Sequence, residues 1–597
     1  MRFKSKPADG FQAFAVSGVN TVSFGITATA DARKDLLGFA VERVDHQEGE
    51  RYVMPGFKVF KSVIPLPDEH TTVSTWDHPV QSFVWDDFTA KPDHRYDYVF
   101  HPLRGSPKNL DRSADPITVT VRSEPLFSDE AHDVFFNRGV ASSQAYARKF
   151  GDDKPDDLPP AKRQKALDWL TRDLDDAILK FIGQAGGSDT LLCCFYEFSY
   201  RPVADALKSA IDRGADVRII LDAKVNETTD AKGKFHESFP REENLRTASA
   251  ARLPKSRLIL REARTSAIAH NKFMVLLRGK GESAKPTAVW TGSTNISLNG
   301  VAGQTNVGHW LRNEAAAATF RAYWDLLRKD PGGKDGDDRA AVRTKNAALR
   351  ADVEALSTAP VKLADIPAGV TPVFSPRGSL DVLDLYFQLV DEATGEACIT
   401  LAFGISERFK ELLKDNTPQQ AIVFMLLEKE DRPKKTGREP FLAINASNNV
   451  YKAWGSYLHD PIAGWVAETN AQRMGIATHV SYIHSKFLLR DPLRKDPLVV
   501  TGSANFSDAS TKENDENMLL VRGDRRAADI YFTEFNRLFN HYYFRSVYEE
   551  VKRSGHQDES ELFLKETPAA WLGKYAPGKL RTKRVRMYAE MEGFTAS

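Results

Sequence analysis

The sequence predicts a multidomain chain: an N-terminal all-β sandwich followed by a duplicated α/β fold, two β-α-β half-domains with mostly parallel sheets. Three observations carry this. Short alternating apolar and polar runs, punctuated by Pro, Gly and Asp, fill positions 1–125. From residue 164 the pattern changes to helix, strand, helix, strand, and the same order returns after residue 346. Finally, IAHNK…TGSTN (268–295) reappears as YIHSK…TGSAN (482–505).

The runs FQAFAV, TVSFGITA, LGFAVERV, YVMPGFKVF and ITVTVRSE read as sandwich strands over 1–125. Residues 126–163 are polar and irregular and read as a connector. In 164–328 a helix (166–185) precedes the strand TLLCCFYEF, the helix RPVADALKSAIDRG and the strand ADVRIILD. The Gly- and charge-rich stretch 329–345 reads as an exposed link. In 346–548 the order repeats, with a helix at 379–393, a strand at 397–405, the helix ERFKELLKDN and a strand at 420–428. Residues 549–597 form a basic tail, where Lys579, Arg581, Lys583, Arg584 and Arg586 read as a solvated segment more than as a phosphate contact.

Composition sets outer limits. Hydrophobic content of 42% and charged content of 27% suit a globular protein, and a formal net charge of +1 excludes a globally basic, non-specific nucleic-acid binder. Three cysteines, Cys193, Cys194 and Cys398, cannot build a disulfide framework, and the adjacent pair reads as core. There is no signal-like apolar region and no run of about eighteen apolar residues, so a cytoplasmic address is expected.

The duplicated string carries the chemistry. Residues two apart on a strand share a face, so His270 projects with Lys272 and His484 with Lys486. The turns that follow can return Ser293 and Asn295, and Ser503 and Asn505, beside them. Lysine charge with amide and hydroxyl donors suits a phosphoryl oxyanion. One imidazole can attack phosphorus while the other protonates the leaving oxygen. No Cys/His or carboxylate ligand set accompanies the string, so neither metal nor cofactor is expected.

These motifs resemble the phospholipase D superfamily signature, H-x-K-x4-D followed by G-S-x-N. The second copy is complete in His484, Lys486, Asp491, Gly502, Ser503 and Asn505. The first has His270, Lys272, Gly292, Ser293 and Asn295, but Leu277 at the Asp position. The resemblance implies catalysis by both His–Lys pairs, with Asn295, Asn505, Ser293, Ser503, Asp491 and Glu516 binding phosphate or orienting. Glu516 stands where many members carry an acid that orients the catalytic His, and the first copy shows Gln304-Thr305-Asn306 there. Members with two motifs commonly use the N-terminal His as nucleophile, which is His270; orientation of His484 by Glu516 argues the reverse, and the roles stay open. In the sandwich, KPDHRYDYVFHPLRG resembles strand F of a fibronectin type III domain, with Tyr96 or Tyr98 at the corner.

The resemblance implies a metal-independent phosphodiesterase working through phosphohistidine, with phospholipid the leading substrate. A nuclease and a catalytically weak binding module are the alternatives. Apolar loops at 236–245 and 454–466, the latter with Trp454, Tyr457, Ile462 and Trp465, are expected at the entrance and would allow peripheral membrane contact. Tyr196 and Glu197, at the end of the first strand of the repeat, are candidates to line the pocket; Trp290 reads as core. The sandwich would recruit a protein partner. One chain holds both half-sites, so a monomer suffices.

Overall fold

The computed structural model describes residues 1–595 apart from positions 57, 68–70, 140–145, 147, 148, 152, 154, 232, 264–266, 434–440, 456–481 and 554–562. Most of the predicted entrance loop, including Tyr457, Ile462 and Trp465, lies outside the described residues.

The N-terminal strands pair antiparallel into two facing sheets. One runs Arg2–Lys4, Phe11–Ser17, Val22–Ala28, Val84–Asp87; the other runs Glu50–Val53, Leu36–Asp45, Arg95–Ser106, Asn109–Asp111, with Ile117–Arg122 also paired to Arg95–Ser106. Their inward alternation buries Phe24 against Tyr98 and Phe100. The Tyr96 hydroxyl accepts from the Lys91 backbone N–H at 2.8 Å, pinning a corner.

Each half-domain is one seven-stranded sheet. The first runs His132–Phe136, Val307–Leu311, Lys285–Gly292, Lys272–Arg278, Thr190–Phe195, Asp216–Asp222, Leu258–Arg261. The second repeats that order with Gly369–Ser375, Glu516–Arg522, Leu498–Gly502, Phe487–Arg490, Glu396–Leu401, Ile422–Leu427, Val450–Trp454. The expectation of mostly parallel sheets needs correction. Only the pairings among the last three strands of each sheet are parallel, and the rest are antiparallel. Periodicity exposed the β-α-β crossovers, which force parallel neighbours. The His-x-Lys strands and those after them are joined by turns, and turns permit antiparallel pairing.

Other boundaries also move. The connector contributes the edge strand His132–Phe136 to the first sheet. The helix expected at 166–185 is two, Pro160–Thr171 and Leu174–Gly183. The link 329–345 is partly the start of the helix Arg339–Leu356, capped by the Asp338 side chain.

The basic tail is not a solvated segment over its described residues. Its helix Leu580–Ala589 lies on the sandwich strand Val22–Ala28, where Tyr588 packs where a Cβ on Gly25 would clash. Trp571 and Tyr575 insert into the sandwich core beside Phe83. Charge count concealed the aromatic anchors interleaved with the basic residues. Among the described residues no helix is long and apolar enough to cross a membrane.

The two halves share one core. Phe136 of the first meets Phe487 and Tyr531 of the second, and the long helix Arg525–Arg553 packs between them. This seats the two sheets with their His-x-Lys ends together.

Candidate active site

In each half the strand bearing Lys begins beside the C-terminal end of the first parallel strand: Phe195 pairs with Lys272. In the second half Ile399 pairs with Leu488, a register that carries Leu401 to Lys486. The residues just before, His270 and His484, therefore stand at the sheet edge where α/β folds place ligands. Asp222 fixes the approach to His270 by accepting from the Ala269 N–H at 2.9 Å, and Glu428 does the same before His484, accepting from the Ile483 N–H at 2.7 Å.

The halves are stitched across the pocket. Thr305 pairs with Ile483, donating its N–H to the Tyr482 carbonyl at 2.8 Å, while the Asp515 N–H donates to the Ile268 carbonyl at 3.0 Å. Thr291 bonds Asn517, whose amide also donates to Asn271 at 2.8 Å. Buried Arg261 reaches Asp515 at 2.9 Å, an ion pair between halves.

Those stitches decide which acid serves which imidazole. His270 Nδ1 lies 3.0 Å from both Glu516 carboxylate oxygens, although Glu516 belongs to the other half. Ser503 and Ser510 donate to the same carboxylate at 2.6 and 3.0 Å. His484 Nδ1 instead meets the Asn306 amide oxygen at 2.9 Å, and Ser293 donates to that oxygen at 2.8 Å. The expectation that Glu516 orients His484 is thus corrected. Each orienting group lies one strand beyond its own Ser, and at the joint that position faces the opposite half. Asn306 went unassigned, yet a signal was present: it follows Ser293 by the same thirteen positions as Glu516 follows Ser503.

Both lysines are buried, and each donates to the carbonyl of its own half's histidine at 2.7 Å. Burial pulls Lys272 down to about 8 against the pull of Glu516 and Glu197. Burial and the neighbouring Lys272 take Lys486 well below its ordinary range. His270 is driven down to about 4 by burial and the lysines, opposed by Glu516. His484 falls well below its ordinary value through burial, Lys486 and Lys272. Burial raises the Glu516 carboxyl, but His270, Lys272 and Ser503 outweigh it and hold it below the usual range. Burial thus disfavours the charged forms of both imidazoles and both lysines, a balance that a bound anion would relieve.

Asn295 Nδ2 donates to Glu197 at 2.7 Å, and the Tyr196 ring lies 5.0 Å from that of His270 and 5.4 Å from Lys272 Nζ. The side-chain oxygens of Asn295 and Asn505 are buried without a partner among the described residues. Trp290 is core, stacked on Phe135. Asp491 is not in the pocket. At the far end of its strand it accepts from the Gly395 N–H at 2.7 Å and the Thr394 N–H at 2.9 Å, so its grouping with phosphate-binding or orienting residues is corrected to a structural tie. Of the predicted entrance, Trp454 is buried in a strand, and 241–245 begin the helix Arg241–Ala250.

A family model described as cardiolipin synthase, PLD-like domain matches residues 178–327 and again 390–539, together half of the chain. Among curated protein sequences none matches. Similar solved structures include phosphatidylserine synthase from Haemophilus influenzae Rd KW20, 12% identical with a TM-score of 0.39, covering 66% of this chain and 94% of that one. A phospholipase D family member, Nuc from Salmonella typhimurium, is 18% identical with a TM-score of 0.20, covering 29% of this chain and 93% of that one. Polyphosphate kinase from Porphyromonas gingivalis is 11% identical with a TM-score of 0.36 over 58% of this chain; the match spans only 42% of that kinase.

Proposed function

The chain belongs to the phospholipase D superfamily through its two PLD-like domains, and we propose that it hydrolyses a phosphodiester, phospholipid before nucleic acid, through a phosphohistidine on His270. The observation carrying this is the unequal support of the two imidazoles. His270 donates its Nδ1–H to the Glu516 carboxylate and keeps a lone pair on Nε2. As it bonds to phosphorus the ring becomes cationic, and the carboxylate offsets that charge. His484 rests on the neutral Asn306 amide, so its protonated form is a strong acid. The negative charge of a bound diester supplies the proton's counter-charge. His270 Nε2 attacks phosphorus, the bond to the leaving oxygen breaks, and His484 delivers its proton to that oxygen. His484, now a base, takes a proton from water, whose oxygen displaces the imidazole.

Lys272 and Lys486 neutralise the phosphoryl oxygens, with Asn295, Asn505, Ser293 and Ser503 around them. No step calls on a metal, so turnover should persist in EDTA. Both half-sites lie in one chain, so a monomer suffices. The sandwich reads as fibronectin type III-like, supported by its two-sheet strand order and by the Tyr96 corner.

The test is mixing purified protein with a diester labelled in the retained phosphoryl group, in EDTA, with quenching in alkali. Phospholipid vesicles and single- and double-stranded DNA and RNA run in parallel. Label should be absent in His270→Ala and accumulate in His484→Ala, each losing at least about a thousandfold in turnover. The reverse labelling would exchange the roles, and nucleic-acid cleavage without lipid cleavage would reverse the substrate order.

A further inference from the structure

The two orienting groups, Glu516 and Asn306, are held in their sheets by different means. In the second half the ladder of the edge strand reaches the acid itself, pairing Ser375 with Glu516. In the first half the ladder of the equivalent strand stops one residue short, at Phe136 opposite Val307. The main chain then turns to the long helix, where Arg537 donates to the carbonyls of Asn137 and Arg138 at 2.9 and 3.0 Å. The Asn137 side chain replaces the missing rung. Its Oδ1 accepts from the Asn306 N–H at 2.9 Å, and its Nδ2 donates to the Gln304 and Val301 carbonyls at 2.6 and 3.0 Å. Gly139, at φ +58°, passes so close to Thr305 that a Cβ there would lie 2.5 Å from the Thr305 Cα.

What Asn137 holds is the turn that grips His484. The Thr305 carbonyl accepts from the His484 N–H at 3.2 Å, and the Asn306 amide oxygen meets the ring Nδ1 at 2.9 Å. Asn137 is itself buried, and it precedes the first stretch that the family model matches, residues 178–327. A side-chain amide that commits both N–H groups and its oxygen to one turn fixes the orientation of that turn, which an apolar side chain of similar size cannot do.

We infer that Asn137 is a positioning residue for the catalytic acid, fixing the Gln304–Asn306 turn and, through Asn306, the imidazole of His484. This rests on the reading of His484 as the acid that protonates the leaving oxygen. A misplaced acid matters only where the leaving oxygen needs a proton: an alkoxide does, whereas p-nitrophenolate departs without one. Loss of a merely structural side chain would slow both departures alike.

The experiment follows first-turnover release of the leaving group from the p-nitrophenyl and ethyl esters of phosphatidic acid, with the same two esters of thymidine 5′-phosphate in parallel. Asn137→Ala should slow ethanol release about 30-fold and nitrophenol release less than about threefold, the size expected for a group that acts through a neighbour. Added to Asn306→Ala, it should cost less than about a further twofold, because both changes break the same support. Should Asn137→Ala not fold, the milder Asn137→Ser is read in the same way. Equal slowing of both esters, or full additivity with Asn306→Ala, would overturn the inference. His484→Ala, run alongside, separates that result from failure of the mechanism: it should slow ethanol release far more than nitrophenol release. If it slowed both alike, or the wild-type protein released neither alcohol, the acid reading would fall and the inference with it.

Discussion

The two halves share strand order, the His-x-Lys pair and the Ser and Asn of the following turn, yet the second offers a carboxylate where the first offers an amide. Because the support crosses the joint, the half with the complete motif supplies the acid to the half without it. A departure that looks like decay in one copy is thereby, on the proposed mechanism, a division of labour between copies. His270 gains a partner suited to a cationic intermediate, and His484 one that leaves its proton easy to give.

Exchanging the partners tests that contrast most severely. Glu516→Gln should cost about 100-fold in kcat, the size expected for removing an orienting group one shell out. Asn306→Asp should cost less, about tenfold, because a new carboxylate raises the His484 pKa and weakens it as an acid. If the two variants fall equally, the halves are not functionally distinct. Phosphohistidine trapping on the double variant sharpens the point, since label moving to His484 would show that the partner sets the role.

The pH profile of kcat/KM probes the same pocket with smaller effect. His270, held down to about 4, keeps its lone pair until the pH falls through that value. An unperturbed imidazole would place the acid limb near about 6.5. On the other side Lys272, pulled down to about 8, loses its proton as the pH rises through that value and with it the charge facing the phosphoryl oxygens. The acid limb of kcat/KM should therefore lie at about 4. The alkaline side should fall as His484 gives up, below the ordinary imidazole range, the proton that the leaving oxygen needs, with a further loss as Lys272 is deprotonated at about 8. An acid limb near 6.5 would mean that His270 is less desolvated than its burial implies.

Much of this was legible because repetition and period are local properties. The strand alternation, the β-α-β order and the two strings lie in contiguous residues. What was not legible depends on contacts between distant segments. The crossing of Glu516 to His270 follows from how Thr305 and Asp515 pair across the joint. The strand His132–Phe136 is a strand because Val307–Leu311 offers it an edge. The tail packs because Trp571 and Tyr588 find the sandwich.

The smallest contrast concerns Asp491 and the Leu277 that stands at its position in the first motif. In the second half Asp491, at the end of the His-x-Lys strand, ties back to Thr394 and Gly395 at the start of the neighbouring strand. In the first half the same two chain ends are tied in the opposite sense. Asp189, at the start of the neighbouring strand, accepts from Arg278 at 2.6 Å and from the Gly279 N–H at 3.4 Å. One carboxylate per half suffices, and either end can carry it. Asp491→Asn keeps a side chain tolerant of the φ of 50° found there but surrenders the charge. It should weaken the tie by about 1 kcal/mol. Amide exchange at Thr394 and Gly395 should accelerate several-fold, and Asp189→Asn should do the same at Gly279, with turnover little changed in both. A large loss of turnover in Asp491→Asn would return that residue to the pocket, against the placement of its four hydrogen bonds to Thr394 and Gly395.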